Sequence, residues 1–172
     1  HVLFKIINKG VSKMRLFILS FVFLFSFTLL NAQTVIIDDF EDGPGHFNLA
    51  TGHSGSTVGI VSTVPTVVDY TAKSGTHSLR IVLIDNPGAT VDWGVRFLSG
   101  AGSPGNNQLL CSTGYVGYWL KTDRSWLKCG ITMDAVGLER SDTINVVGDG
   151  NWHLYQWDLA DTNKWYAFAR PG

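Results

Sequence analysis

Two groups of residues in this chain have types and spacings that could do chemistry. The first is acidic: Asp38, Asp39, Glu41 and Asp42 fall within one short stretch. A hard cation such as calcium takes several oxygen ligands, and carboxylates two positions apart on an extended strand, Asp39 and Glu41, project to the same side and can meet one ion. The same residues would also serve as a charged edge that keeps a strand from pairing with another chain. The second group is aromatic and basic. Tyr115, Trp119 and Lys121 alternate onto one face of a strand, Arg96 lies on a neighbouring extended segment, and Trp126 ends the turn that begins at Asp123. Aromatic faces stack on the apolar side of a pyranose ring while polar groups grip its hydroxyls, so this pattern points to carbohydrate. Trp165 and Tyr166 add loop candidates. The competing use of such residues is structural, because most Trp and Tyr of a small β domain pack in its core.

Other motifs carry less. Gly100-Ala101-Gly102-Ser103-Pro104-Gly105 matches a dinucleotide fingerprint by letters, but Pro104 and Asn106-Asn107 oppose helix entry and no βαβ unit surrounds it, so it reads as a turn. Asp149-Gly150-Asn151 lacks the spacing and closing Glu of an EF-hand loop. Gly52-His53-Ser54-Gly55 is one residue short of a nucleophile elbow. His46, His53, His77 and His153 have no close metal-ligand spacing. A glycoside hydrolase needs two carboxylates across a cleft. Asp134, Glu139 and Asp158 are available for that, but nothing in the sequence pairs them, so no catalytic residue is assigned.

The elements that must position these groups are strands. After Gln33 no helical stripe is evident, whereas period-two alternation recurs over Thr34–Glu41, Ser78–Ile84, Trp93–Phe97, Tyr115–Lys121, Leu127–Asp134 and Trp152–Leu159. Turn clusters separate them: Asp42-Gly43-Pro44-Gly45, Asn86-Pro87-Gly88, Gly100 to Asn107, and Gly148-Asp149-Gly150-Asn151. Strands without crossover helices do not make a parallel sheet. The expectation is therefore all-β, with two antiparallel sheets packed face to face as a jelly-roll β-sandwich.

Residues 14–32 read as a signal peptide. Lys13, Met14 and Arg15 give a start and positive charge, Leu16 to Leu30 is mostly apolar, and Asn31-Ala32-Gln33 offers a small residue for cleavage. The run of about 15 residues is shorter than the roughly 20 needed to span a bilayer, so export is favoured over a membrane anchor. Residues 1–13 precede a natural initiator Met and are expected to be upstream read-through. Residues 33–172 then form the domain, expected to be incomplete at its C-terminus because Arg170-Pro171-Gly172 follows an aromatic strand without a closing element.

From Gln33 onward the chain has nine Lys or Arg against fourteen Asp or Glu, a net charge of −5. That argues against nucleic acid, which needs a basic face to displace counterions, and against anionic membranes. Cys111 and Cys129 could pair in an oxidising exterior, closing a loop worth roughly 3 kcal/mol. If Tyr115–Lys121 and Trp126–Met133 formed a hairpin, Cys129 would face Tyr118 and Cys111 would lie on the order of 23 Å away, beyond the roughly 7 Å that a bridge spans. Two buried thiols are expected, and a different strand order would permit the bridge.

The order of segments resembles secreted carbohydrate-binding modules of the galactose-binding-like jelly-roll class. It is carried by Asp38-Asp39-Phe40-Glu41, Ser74-Gly75-Thr76-His77-Ser78-Leu79-Arg80-Ile81, Trp93-Gly94-Val95-Arg96-Phe97, Tyr118-Trp119-Leu120-Lys121 and Trp152-His153-Leu154-Tyr155, over about residues 36–160. The resemblance implies a structural calcium held by Asp39, Glu41 and the Lys73 to His77 loop, with Lys73, Gly75 and His77 as the loop positions. It also implies a polysaccharide ligand, further domains in the same chain, and a closing strand with an Ile-Asp-Asp-like segment that this sequence lacks. The alternatives are an accessory domain of a secreted glycoside hydrolase and a structural or adhesive surface module that binds no sugar.

Overall fold

The computed structural model describes residues 34–99, 113–133 and 140–167. The signal-peptide segment, Cys111, the Gly100 to Asn107 turn, Asp134 and Glu139 lie outside the described residues. Contacts divide the chain into two compact units, 1–36 and 37–172. The second is all-β and contains almost no helix. Among the described residues no helix is long and apolar enough to cross a membrane.

Among the described residues ten strands pair as five antiparallel ladders. The longest joins β5 (Tyr115–Lys121) to β9 (Trp152–Asp158) through seven residue pairs, from Tyr115 opposite Asp158 to Lys121 opposite Trp152. This register puts the two alternating patterns in phase. Val116, Tyr118 and Leu120 share one face with Trp157, Tyr155 and His153, while Tyr115, Gly117, Trp119 and Lys121 share the other with Asp158, Gln156, Leu154 and Trp152. Gly117 is required where the strands come closest, because a Cβ there would collide with the Tyr155 carbonyl and the Gln156 side chain.

The inner face of this ladder forms the core. Tyr155, Trp157, Trp165 and Val146 are buried, and Val116, Tyr118, Leu120, Leu127, Cys129, Ile131 and Ile144 pack against them. The polar atoms carried inward are satisfied, as burial requires. The Trp157 and Trp165 indole N–H groups donate to the carbonyls of Asp142 and Asp158, each at 2.8 Å, and the Tyr155 hydroxyl accepts from the Val147 N–H at 2.8 Å. The other side of the core is a ribbon in which β6 (Lys128–Cys129) pairs with β8 (Ile144–Asn145), and Thr132 bridges Arg140 of β7 (Arg140–Ser141), with a one-residue slip in register between the two contacts. Such a slip is a bulge. β7 also pairs with β10 (Trp165–Tyr166).

The N-terminal half contributes a second bulged ribbon. β1 (Ile60–Val61) pairs with β4 (Ile84–Asp85), and β2 (Thr66–Val68) with β3 (Ser78–Arg80), again one residue out of register with each other. The tip of this hairpin is the segment 69–77. Thr51, fully buried, ties its base to residue 63: the Thr51 N–H donates to the Thr63 carbonyl and the Thr63 N–H to the Thr51 hydroxyl, at 2.8 and 2.9 Å.

Several strand expectations need correction. Residues 34–41 form no strand, because local carboxylates capture backbone that a ladder would need. Asp38 accepts from the backbone N–H and Nδ1 of His46, Asp39 accepts from the Glu41 N–H, and Phe40 turns to a φ of 65°. Asp39 and Glu41 therefore do not lie on one strand face. The Trp93–Phe97 segment reduces to a bridge between Gly94 and Val58. The hairpin between Tyr115–Lys121 and Trp126–Met133 does not form: β5 takes β9, which matches its alternation along its whole length. Cys129 nonetheless meets Tyr118, through side chains rather than as a strand partner, and carries a free thiol.

Candidate functional site

The outer face of the β5–β9 ladder carries three of the five sequence-predicted binding residues, Tyr115, Trp119 and Lys121. Tyr115 is 66% exposed and Trp119 45%, so both rings remain open to solvent even though the backs of their strands are core. Strand geometry sets them four residues apart, about 13 Å, with side-chain-free Gly117 between them. Leu154 lies opposite Trp119, Gln156 opposite Gly117, and Trp152 opposite Lys121, giving the face an apolar floor with amide and ammonium groups at intervals. Asp158 stands opposite Tyr115 and its carboxylate accepts from the Ala160 N–H at 2.8 Å.

The hairpin tip 69–77 reaches this face. Lys73 places its ammonium 4.2 Å from the centre of the Trp119 ring, within cation–π range, and Lys121 donates to the Thr71 hydroxyl at 3.0 Å. The tip is itself held at two points. The Ser78 hydroxyl donates to the Thr71 carbonyl at 2.7 Å. The Glu41 carboxylate accepts from the Thr76 N–H at 2.9 Å, the Thr76 hydroxyl at 2.6 Å and the His77 N–H at 2.9 Å, and pairs with His77 Nδ1 at 3.1 Å. Gly75, at a φ of 66°, has no Cβ where one would strike the Glu41 carboxylate. The Thr76 hydroxyl first, and then the His77 and Thr76 donors, hold the Glu41 carboxyl down at about 2.

The residues expected to bind calcium are thus partly brought together and differently employed. Glu41, Gly75 and His77 meet at one corner, Asp39 caps its own turn, and Lys73 belongs to the aromatic face. The donor chemistry at that corner does not fit a calcium cage: both Glu41 oxygens already accept from N–H and O–H groups of the loop they organise. Among the described residues no three His, Cys, Asp or Glu side chains form a group able to hold a metal ion.

Arg96 and Trp126 lie on other contacts. The Arg96 backbone N–H donates to the Thr57 hydroxyl at 3.1 Å and its guanidinium reaches the Ser56 hydroxyl at 3.5 Å, bonds that tie it to the 54–58 turn. Trp126 is 64% exposed and meets Trp93 edge to face, with ring centres 5.2 Å apart at 87°. That is a second exposed aromatic position. Its turn is fixed by the Gly150 N–H donating to the Thr122 carbonyl at 2.9 Å and by the close approach of Gly148 to the Arg124 backbone.

The part of the site that sequence reasoning missed is the joining of its two halves. Lys73 was assigned to a metal loop and Thr71 to nothing, yet both sit on the β5 face. The available signal was the mostly polar run from Asp69 to His77, with Ser74-Gly75 within it, between Thr66–Val68 and the alternating segment that starts at Ser78, which marks a long hairpin tip. Comparison of the chain with protein-family models, curated proteins and solved structures finds no match.

Proposed function

We propose that this chain is an exported, non-catalytic carbohydrate-binding module of the galactose-binding-like jelly-roll class, reading a glycan on the outer face of the β5–β9 ladder. The observation that carries the reading is the exposure of Tyr115 and Trp119 on one side of two strands whose other side is core. A soluble domain gains nothing in packing by leaving two aromatic rings open in a row, whereas stacking on a sugar ring uses both. Two platforms about 13 Å apart along a strand serve a chain of sugars rather than one. Gln156 and Lys121 supply polar contacts between and beside them.

Retardation of the chain in gels containing soluble polysaccharides tests this directly. Trp119→Ala is expected to weaken binding on the order of tenfold or more, as for a central aromatic anchor, and to leave the melting temperature nearly unchanged. Unchanged affinity would move the binding face to Trp126 and Trp93; no binding by the parent chain would favour the structural or adhesive module. Calcium is tested separately. Because Glu41 is satisfied by its own loop, the expected melting temperature is the same in chelator as in calcium, and a fall in chelator reversed by calcium would instead assign Asp39 and Glu41 as ligands.

A further inference from the structure

We infer that the glycan read by this face is an anionic polysaccharide of the polyuronate class, recognised by Lys73 and Lys121 at the Trp119 end of the aromatic strip. The inference rests on the carbohydrate-binding reading and names its ligand.

The argument starts from charge. The chain is acidic from Gln33 onward, yet two of its nine basic side chains in that stretch meet where the hairpin tip reaches this face, Lys73 over the Trp119 ring and Lys121 on Thr71. Neither is neutralised: among the described residues Arg124 and Lys164 form ion pairs with Asp123 and Asp142, at 3.3 and 3.6 Å, while Lys73 and Lys121 form none. Nor are they freely waving solvent groups. Lys73 is laid on the Trp119 ring and Lys121 is hydrogen-bonded to Thr71, in a hairpin tip that Glu41 and Ser78 fasten. Holding long, rotamer-rich side chains in place costs entropy, and their positions here cluster two unpaired ammonium groups at one end of an aromatic strip.

Among the described residues no carboxylate on the adjoining segments forms an ion pair with either lysine. Asp158 is at the opposite end of the ladder, six residues from the Lys121 position or about 20 Å along the strand. Glu41 remains a carboxylate held by Thr76 and His77, and Asp69 lies at the base of the tip, but neither forms an ion pair with Lys73 or Lys121, and Asp123 pairs with Arg124. The face is therefore polar along its length, cationic at Lys73 and Lys121 and anionic at Asp158. A uronate chain satisfies it in register: a pyranose ring stacks on Trp119 in place of the Lys73 ammonium, which turns to that ring's carboxylate, and Lys121 meets the carboxylate of a neighbouring sugar. A neutral chain would displace the Lys73 cation from the ring and return nothing to it.

The test compares binding of the full chain to polygalacturonate and to uncharged galactan and xylan, with Lys73→Gln, Lys121→Gln, the double variant and Trp119→Ala. The expected result is a preference for polygalacturonate that fades as salt rises from about 0.05 to 0.5 M, where the screening length falls below 5 Å. Each Lys variant should lose roughly two- to fivefold for polygalacturonate, the range of exposed ion pairs, and none for the neutral chains. Quenching or enhancement of tryptophan fluorescence on binding, absent in Trp119→Ala, places the ligand on this ring. Equal binding of neutral and charged chains, or Lys variants without effect, overturns the polyuronate assignment and leaves the glycan reading standing. Failure of every polysaccharide to bind overturns both.

Discussion

The two faces of the β5–β9 ladder are made from the same fourteen residues and meet opposite fates. Inward, Tyr155 and Trp157 are 4% exposed, and each spends its polar atom on a backbone partner. Outward, Tyr115 and Trp119 keep open rings, and the neighbouring tip supplies an ammonium rather than an apolar lid. The contrast teaches that aromatic content alone does not mark a site. What marks it is an aromatic whose burial the fold could complete and does not.

That contrast can be broken from either side. The largest expected effect is on the inner face: Trp157→Ala removes one of two buried indoles and leaves a large cavity, with the Asp142 carbonyl keeping only its bond from the Ser141 hydroxyl, costing about 3 to 5 kcal/mol, enough for chemical denaturation to find little folded protein. Gly117→Ala tests the seam between the faces. Its methyl group would meet the Tyr155 carbonyl and the Gln156 side chain, so a loss of roughly 1 to 3 kcal/mol is expected from the strands being forced apart, visible as a lowered denaturation midpoint.

Acid comes next. Glu41 and Asp149 are held at about 2, Glu41 chiefly by the Thr76 hydroxyl and Asp149 chiefly by His153, against ordinary values of 4.5 and 3.8. Their folded-state values are depressed, so the stability they contribute is fully present above pH 4.5 and is lost as pH falls toward 2. Thermal melts across that window should shift downward, and the shift should shrink in Glu41→Gln. An equal shift in that variant would place the acid sensitivity elsewhere. Smallest of all for stability is Trp119→Ala, expected within about 1 kcal/mol of the parent because its ring is half open already. A large destabilisation there would make the outer face structural and erase the contrast.

Much of this was legible in the residues. Alternation over Tyr115–Lys121 and Trp152–Leu159 separates the residues of each strand into the two sets that the ladder places on its two faces, because one side of a half-buried strand must be apolar. Their pairing was not legible. Turn chemistry at Thr122 to Ser125 suggested a local hairpin, but a strand of seven residues gains more from a partner that matches all seven positions, and that partner lies 30 residues downstream. The acidic stretch at 38–42 misled for another reason: alternation of type is not alternation of conformation when Asp side chains can bond the nearby backbone. Of the expected meeting of Asp39, Glu41 and the Lys73 to His77 loop, only that of Glu41 with Gly75, Thr76 and His77 forms, and its chemistry is hydrogen bonds closing a corner.

One consequence lies beneath the outer face. Cys129 shares a hydrogen bond with Tyr118, and burial pushes the pKa of both groups up, so neither is readily ionised. Because only the thiolate attacks an alkylating reagent, the sulfur is a slow target while the ladder stays closed over it. The rate at which it takes up label therefore clocks the breathing of the strands that carry Tyr115 and Trp119, and a ligand clamped across those strands would be read, from inside the domain, as a slower clock.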